Sequence, residues 1–309
     1  MSLRRILLAI AAASLAATAN AKAAPAGLRS KRANSILITY LGNAGWEIDG
    51  AGKTILVDPY LTQFRNGGRD NKNTPEDDDP ILMPDAAGID AHIRRADYIL
   101  ITHGHSDHML DAPYISNKYH AVIICSPGTA NIARAYGVPE ERLIIVKGGE
   151  DYAFGDFSLR VIPGLHSALL AKHYNNIRYA GTTPAGLKAP LHESAFAENG
   201  SLEFLLRIAG HQLFIMGSMN YIEREVQGLR PDIAMIGSGA SRNEIYRYTH
   251  RLMAALRNPK VVFPTHWDSY GNATRAEALR GAKEFAGEVH AASPKTRVII
   301  PDYFKPTDF

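Results

Sequence analysis

"THGHSDHMLD", Thr102 to Asp111, places three of the chain's twelve histidines and an aspartate within six positions. Imidazole and carboxylate are ligands of borderline-soft divalent metals, so this H-x-H-x-D-H pattern points first to a metal site. The apolar strand "DYILIT" (97–102) delivers the motif, and the chain then turns toward a helix. In extended backbone His103 and His105 point to one side. Once the chain turns, Asp107 and His108 become adjacent donors aimed elsewhere. One ion rarely takes four donors from so short a stretch, so two neighbouring metals are expected, each needing a distant ligand. His166 closes "RVIPGLH" and His266 closes "KVVFPTH". Both are read as strand ends, the position that the motif itself occupies.

Working outward, "SILITYL", "GWEID" and "KTILVDPYL" are short β-rich segments split by Gly and Asn turns, as in an antiparallel meander. Residues 62–84 read as a long loop whose acidic run is a solvated surface. Helices are expected near 86–95, 110–118 and 128–136, with strands "AVIIC", "LIIV" and "FSLRVIPGLH" between and after them. The second half repeats the theme: strands "SLEFLLRI", "HQLFIMG", "DIAMIG" and "KVVFP", with helices near 221–228, 244–257 and 274–287. Strand clusters alternating with helices in both halves predict an α/β protein, an αββα sandwich of two mixed sheets flanked by helices.

The first residues stand apart. "MSLRRILLAIAAASLAATANAKA" has a basic start, an apolar run from Ile6 to Ala17 and small residues at Ala19 and Ala21. That order predicts a cleavable secretory signal over 1–21, then a polar linker over 22–34 and one domain over 35–309. The apolar run is short of the ~20 residues of a membrane span, so a periplasmic or secreted protein with no integral membrane segment is expected. Removing residues 1–21 takes away Arg4 and Arg5 and lowers the net charge from +3 to +1. No basic stripe remains to argue for a nucleic-acid partner. The one cysteine, Cys125, excludes an internal disulfide and reads as a small core residue.

With these residues assembled, the chain resembles the metallo-β-lactamase superfamily, in its lactonase-like and phospholipase-like branch. The resemblance runs from about Ser35 to Trp267 and rests on "LGNAGWEID", "ILVDPYL", "ITHGHSDH", "PGLHS", "FIMGS" and "FPTHWD", in order. It implies one metal on His103, His105 and His166 and a second on Asp107, His108 and His266. It also implies that Asp58, in "VDP", orients a ligand histidine. One position departs from the family pattern. Gly217-Ser218 stands where most members carry Gly-Asp, whose carboxylate bridges both metals. A hydroxyl is a poor bridge, so one or two zinc ions are expected, the second held more weakly or absent. Zinc β-lactamases with serine there hold two ions through this same ligand set. Di-iron relatives carry a carboxylate in place of His105, so the histidine-rich set favours Zn²⁺ over redox iron.

The expected chemistry is hydrolysis of an ester, lactone, amide or phosphodiester in a small-molecule substrate. A metal-activated hydroxide attacks, and Asp107 and His108 take the catalytic roles. A periplasmic zinc β-lactamase and a non-catalytic metal-binding protein are the alternatives. In segment 167–200, His173, Tyr174, Arg178, Tyr179 and His192 are candidate substrate contacts. Asn220 and Tyr221 join them by analogy with the family.

Overall fold

Aliphatic and β-branched runs become strands, and Gly, Asn and Pro punctuate them. The computed structural model describes residues 34–67, 79–167, 177–268 and 274–309. The expected signal, most of the linker, the middle of the 62–84 segment, His173 and Tyr174 lie outside the described residues.

In the first half the elements are β1 (Leu37–Gly42), β2 (Gly45–Gly50), β3 (Lys53–Val57), β4 (Ile81–Leu82), α1 (Ala86–His92) and β5 (Tyr98–Leu100). There follow α2 (Ser106–Met109), α3 (Ala112–Tyr119), β6 (Val122–Cys125), α4 (Pro127–Ala135) and β7 (Leu143–Ile145). The second half starts with β8 (Asp151–Ala153), β9 (Phe157–Pro163), β10 (Leu191–His192), β11 (Leu202–Ile208), β12 (His211–Met216) and α5 (Glu223–Val226). It ends with β13 (Ile233–Gly237), α6 (Tyr248–Ala255), β14 (Val261–Thr265), α7 (Arg275–Ala292), β15 (Arg297–Val298) and β16 (Pro306–Asp308).

Two seven-stranded mixed sheets result, in the orders β16-β1-β2-β3-β5-β6-β7 and β15-β14-β13-β12-β11-β9-β8. The meander β1–β2–β3 is antiparallel, whereas β3, β5, β6 and β7 run parallel. Alternation along the strands sorts side chains into three apolar layers. Ile55, Val57, Leu100 and Ile124 face Phe204, Leu206, Ile215 and Phe263 between the sheets, around Trp46. Leu56, Ile99, Ile123 and Cys125 point outward onto Ile89, Ile115 and Ile132 of α1, α3 and α4. Phe214, Ala234 and Val262 do the same onto Leu252, Phe285 and Val289 of α6 and α7. This is the αββα sandwich. Each fully buried aliphatic side chain contributes about 1.5–3 kcal/mol, and all three layers contribute in this way. Cys125 is wholly buried, and burial pushes its thiol up to about 12.

Several boundaries differ from expectation. Strand β9 stops at Pro163, so His166 sits three residues beyond it, in a loop. Proline cannot donate a ladder hydrogen bond, and at Gly164 a Cβ would lie 3.1 Å from Glu203 Cγ, so the chain departs there. His266 follows the last residue of β14 and turns out of the sheet with φ 55°. The helix expected near 110–118 is α3, and a further short helix, α2, precedes it over the motif itself. The 62–84 segment is not wholly irregular, because residues 61–67 form a 3₁₀ turn and Thr62 N donates to Asp111 Oδ2 at 2.9 Å. Helix α7 extends to Ala292, starting from a reciprocal cap between Thr274 and Glu277.

Candidate metal centre

Parallel neighbours β3 and β5 end side by side, which brings Asp58 next to Thr102. Thr102 N donates to Asp58 Oδ1 at 2.8 Å, and Thr102 Oγ1 donates to Asp58 Oδ2 at 2.5 Å. Across the sandwich, Leu202 N donates to Thr102 O at 2.7 Å, joining the first sheet to the start of β11. Strands β9, β12 and β14 run in one direction, so His166, Ser218 and His266 leave the second sheet at one edge. The two sheets thus present their loops to a common cleft, where open α/β sheets carry ligands.

His103, His105 and His166 converge there. Their ring centroids are 4.8 Å apart pairwise, at interplanar angles of 74–80°. One nitrogen from each ring lies within 4.8 Å of the others. The remaining nitrogens fix which one is available. His105 Nε2 lies 2.7 Å from Arg178 O and His166 Nδ1 lies 2.6 Å from Ser167 O. A carbonyl only accepts, so both ring nitrogens are N–H donors, and the lone pairs sit on His105 Nδ1 and His166 Nε2. His103 Nδ1 is 3.2 Å from Thr102 Oγ1, and its buried Nε2 has no partner among the described residues. Burial, then neighbouring histidines, lowers His103 well below the ordinary range. Burial and His105 take His166 down to about 3, and burial also lowers His105. All three rings are therefore neutral at pH 7, as ligation requires.

The other donors form a second group. His108 Nε2 is 3.2 Å from His266 Nε2, and Asp107 Oδ2 lies 3.5 Å and 3.4 Å from those two atoms. His108 Nδ1 donates to Asp58 Oδ2 at 2.9 Å, which turns Nε2 toward the cleft. Burial opposes a charge on His108, but Asp107 and Asp58 overcome it and push the ring up to about 10. Burial likewise opposes the Asp107 charge, and His108 and His266 hold its carboxyl well below the usual range. His103 also groups with Asp107 and His108 within 4.8 Å, so it faces both halves of the centre. Converging lone pairs, an orphaned buried imidazole nitrogen and ring nitrogens pinned from behind fit a divalent metal.

Ser218 lies beside this centre. Its Oγ accepts from Ser167 N at 3.2 Å and lies 3.2 Å from Ser167 Oγ, so it steadies the residue after His166. The expected substrate contacts fare differently. His192 is exposed on β10, with Nδ1 donating to Asp79 O at 2.8 Å. Arg178 pairs with Glu193 at 3.1 Å, and Tyr179 Oη is 3.4 Å from the same carboxylate. Half-buried Asn220 uses Oδ1 to accept from Tyr221 N at 2.9 Å. Tyr221 is a core residue rather than a cleft contact. It is buried against Tyr248, centroids 5.7 Å apart, because a phenol packs well under α6. Residues not singled out in the sequence also shape the site, namely Asn43, Asp268 and Ser167, and Arg178, expected as a substrate contact, does so through its carbonyl. The Asn within the "LGN" turn and the Asp closing "THWD" are the only hints of the first two.

The family model described as the beta-lactamase superfamily domain matches residues 37–266. The chain belongs to the metallo-β-lactamase superfamily. Within that superfamily it is similar to a UPF0173 metal-dependent hydrolase of Archaeoglobus fulgidus, 29% identical over 238 residues, covering 75% of this chain and 84% of the relative. Among solved metallo-β-lactamase folds, an isothiocyanate hydrolase from Delia radicum gut bacteria superposes with a TM-score of 0.57 at 18% identity. That match covers 88% of this chain and 98% of the other. A di-iron β-hydroxylase from Streptomyces venezuelae superposes with a TM-score of 0.55 at 17% identity, covering 89% of this chain and 54% of that one. The fold is therefore shared by different metal chemistries, and the donor set has to choose among them.

Proposed function

We propose that this protein is an exported zinc-dependent hydrolase that cleaves an ester, lactone, amide or phosphodiester in a small-molecule substrate. Its coarse activity is that of a metal-dependent hydrolase, in keeping with family and relatives. The observation that carries the finer reading is the triad His103 Nε2, His105 Nδ1 and His166 Nε2. These are three neutral imidazole donors whose opposite nitrogens are held by Thr102, Arg178 and Ser167. Three histidines with room for a fourth ligand are a catalytic zinc set, and they suit redox iron poorly. Asp107, His108 and His266 would hold a second ion.

A zinc ion held there supplies Lewis acidity toward the scissile group and activates water near neutral pH. The protein supplies the rest. Asp107 Oδ2, kept ionised by His108 and His266, is the acceptor that orients the attacking water and takes its proton. Asp58 fixes His108 by taking the Nδ1 proton in a hydrogen bond. Arg178 fixes His105 through its carbonyl, and its side chain belongs to the Glu193–Tyr179 cluster on the cleft rim. Zinc analysis of purified protein, with chromogenic esters, lactones and phosphodiesters, tests this reading. Turnover of nitrocefin alone would instead support the β-lactamase alternative, for which Ser218 is the argument. Bound metal without any turnover would leave a binding protein. The export part of the proposal rests on the basic, apolar, small-residue order of residues 1–21, and N-terminal sequencing of exported protein tests it.

A further inference from the structure

Asn43 occupies the β1–β2 turn in the left-handed region, φ 54°, and is wholly buried. Asparagine tolerates that conformation where most residues do not. Each of its polar groups but one is engaged with the metal centre or its supports. Asn43 O accepts from His266 N at 2.6 Å and lies 2.7 Å from Tyr40 Oη, whose proton goes to Asp268. Asn43 N donates to Asp268 Oδ1 at 3.0 Å. Asn43 Nδ2 donates to Asp107 O at 2.9 Å and to Asp107 Oδ2 at 3.1 Å.

Asp268 locks this residue from behind. Its buried carboxylate accepts from Tyr40 Oη, Asn43 N and, at 2.6 Å, Tyr303 Oη. One turn residue therefore couples the main chain of His266 to the carboxylate of Asp107, though they come from different sheets. The amide orientation is dictated chemically. Both partners on Asp107 are acceptors, so only the NH₂ end fits there, which leaves Oδ1 buried and without a donor among the described residues. An unpaired buried acceptor costs about 1–3 kcal/mol, so stability alone does not favour asparagine at this position.

We propose that Asn43 is the positioning residue of the second half of the centre. Its amide aims Asp107 Oδ2 at the atom that His108 and His266 also face, while its carbonyl sets where His266 leaves β14. This rests on the reading of Asp107, His108 and His266 as ligands. The first triad touches neither group of Asn43, so the two halves of the centre respond differently to its loss.

Cobalt(II) titration of the metal-free full chain, followed by visible absorption and equilibrium dialysis, tests the assignment. Asn43→Gly keeps the left-handed turn and its main-chain hydrogen bonds while deleting the amide. Asn43→Asp keeps the shape but replaces the donor with a carboxylate facing Asp107. Both should weaken the second cobalt equivalent by about 10–100-fold, the usual effect of removing a partner behind a ligand, and change its absorption bands. The first equivalent and the melting temperature of metal-free Asn43→Gly should stay at wild-type values. His108→Ala separates the two ideas. If it loses the second equivalent while both Asn43 variants bind as wild type, the positioning role is wrong and the ligand reading stands. If His108→Ala binds cobalt as wild type does, the ligand reading fails and this inference with it. Equal loss of both equivalents in Asn43→Gly would show a purely structural role and overturn the proposal.

Discussion

Asp58 Oδ2 accepts a 2.9 Å hydrogen bond from His108 Nδ1, and both side chains are wholly buried. Asp58 sits directly after β3 with φ 39°, and β3 pairs in parallel with β5, the strand that leads into the motif and into helix α2, which carries His108. The pair fixes the tautomer of His108 and turns Nε2 toward His266. Asp58→Asn, which suits the left-handed backbone, should weaken metal at Asp107, His108 and His266 by about 10–100-fold. Equilibrium dialysis against zinc measures this.

Metal uptake should displace a ligand proton in one half of the centre only. His108 stands at about 10 in the metal-free protein, against an ordinary 6.5, whereas His103, His105 and His166 are lowered. Between pH 6.5 and 10 a metal must therefore displace a proton from His108 and none from the triad. Calorimetric titrations in buffers of different ionisation heat should show release of about one proton from His108 with the second equivalent and none from the triad with the first, beyond the proton of a zinc-bound water, which ionises near neutral pH.

Glu203, on β11, should limit stability. Both its carboxylate oxygens are buried without a partner among the described residues, and burial raises its pKa well above 4.5. A raised carboxyl pKa contributes fully below pH 4.5. Above that the unfolded chain sheds a proton that the folded chain keeps, so stability falls as pH rises. Glu203→Gln should match wild type near pH 4 and exceed it at pH 8 by at least ~1 kcal/mol, the free energy of one pKa unit. Thermal melts across that range provide the comparison.

The architecture and most of the candidate donor set were legible because their signals are local. Short β-branched, apolar runs such as "KTILV" reveal strands, and H-x-H-x-D-H gathers four donors in six positions. His166 and His266 became legible through the strands before them, although the β9 strand ends earlier than its apolar run suggests. What escaped depends on pairing between distant segments. Asn43 reads as an ordinary turn asparagine until it meets Asp107, sixty-four residues away. The contact from Arg178 is a backbone carbonyl, which any residue supplies. Tyr221 read as a substrate contact by analogy with the family, which does not say that α6 covers this side chain.

Ser218 marks the departure from the family's bridging aspartate. Its hydroxyl is occupied by Ser167, so it lends no charge to two close dications. Ser218→Asp should tighten the second zinc while leaving turnover equal or lower, since added negative charge weakens Lewis acidity. Stepwise zinc titration of both proteins decides it, and identical binding curves would count against the idea.

The central claim is that His103, His105 and His166 hold the metal on which hydrolysis depends, and zinc content measured on His103→Ala tests it most directly. Wild type should carry zinc and turn over at least one of the chromogenic esters, lactones or phosphodiesters, and the variant should lose zinc from this site together with that turnover. His103→Ala protein with the full zinc content of wild type would contradict the account.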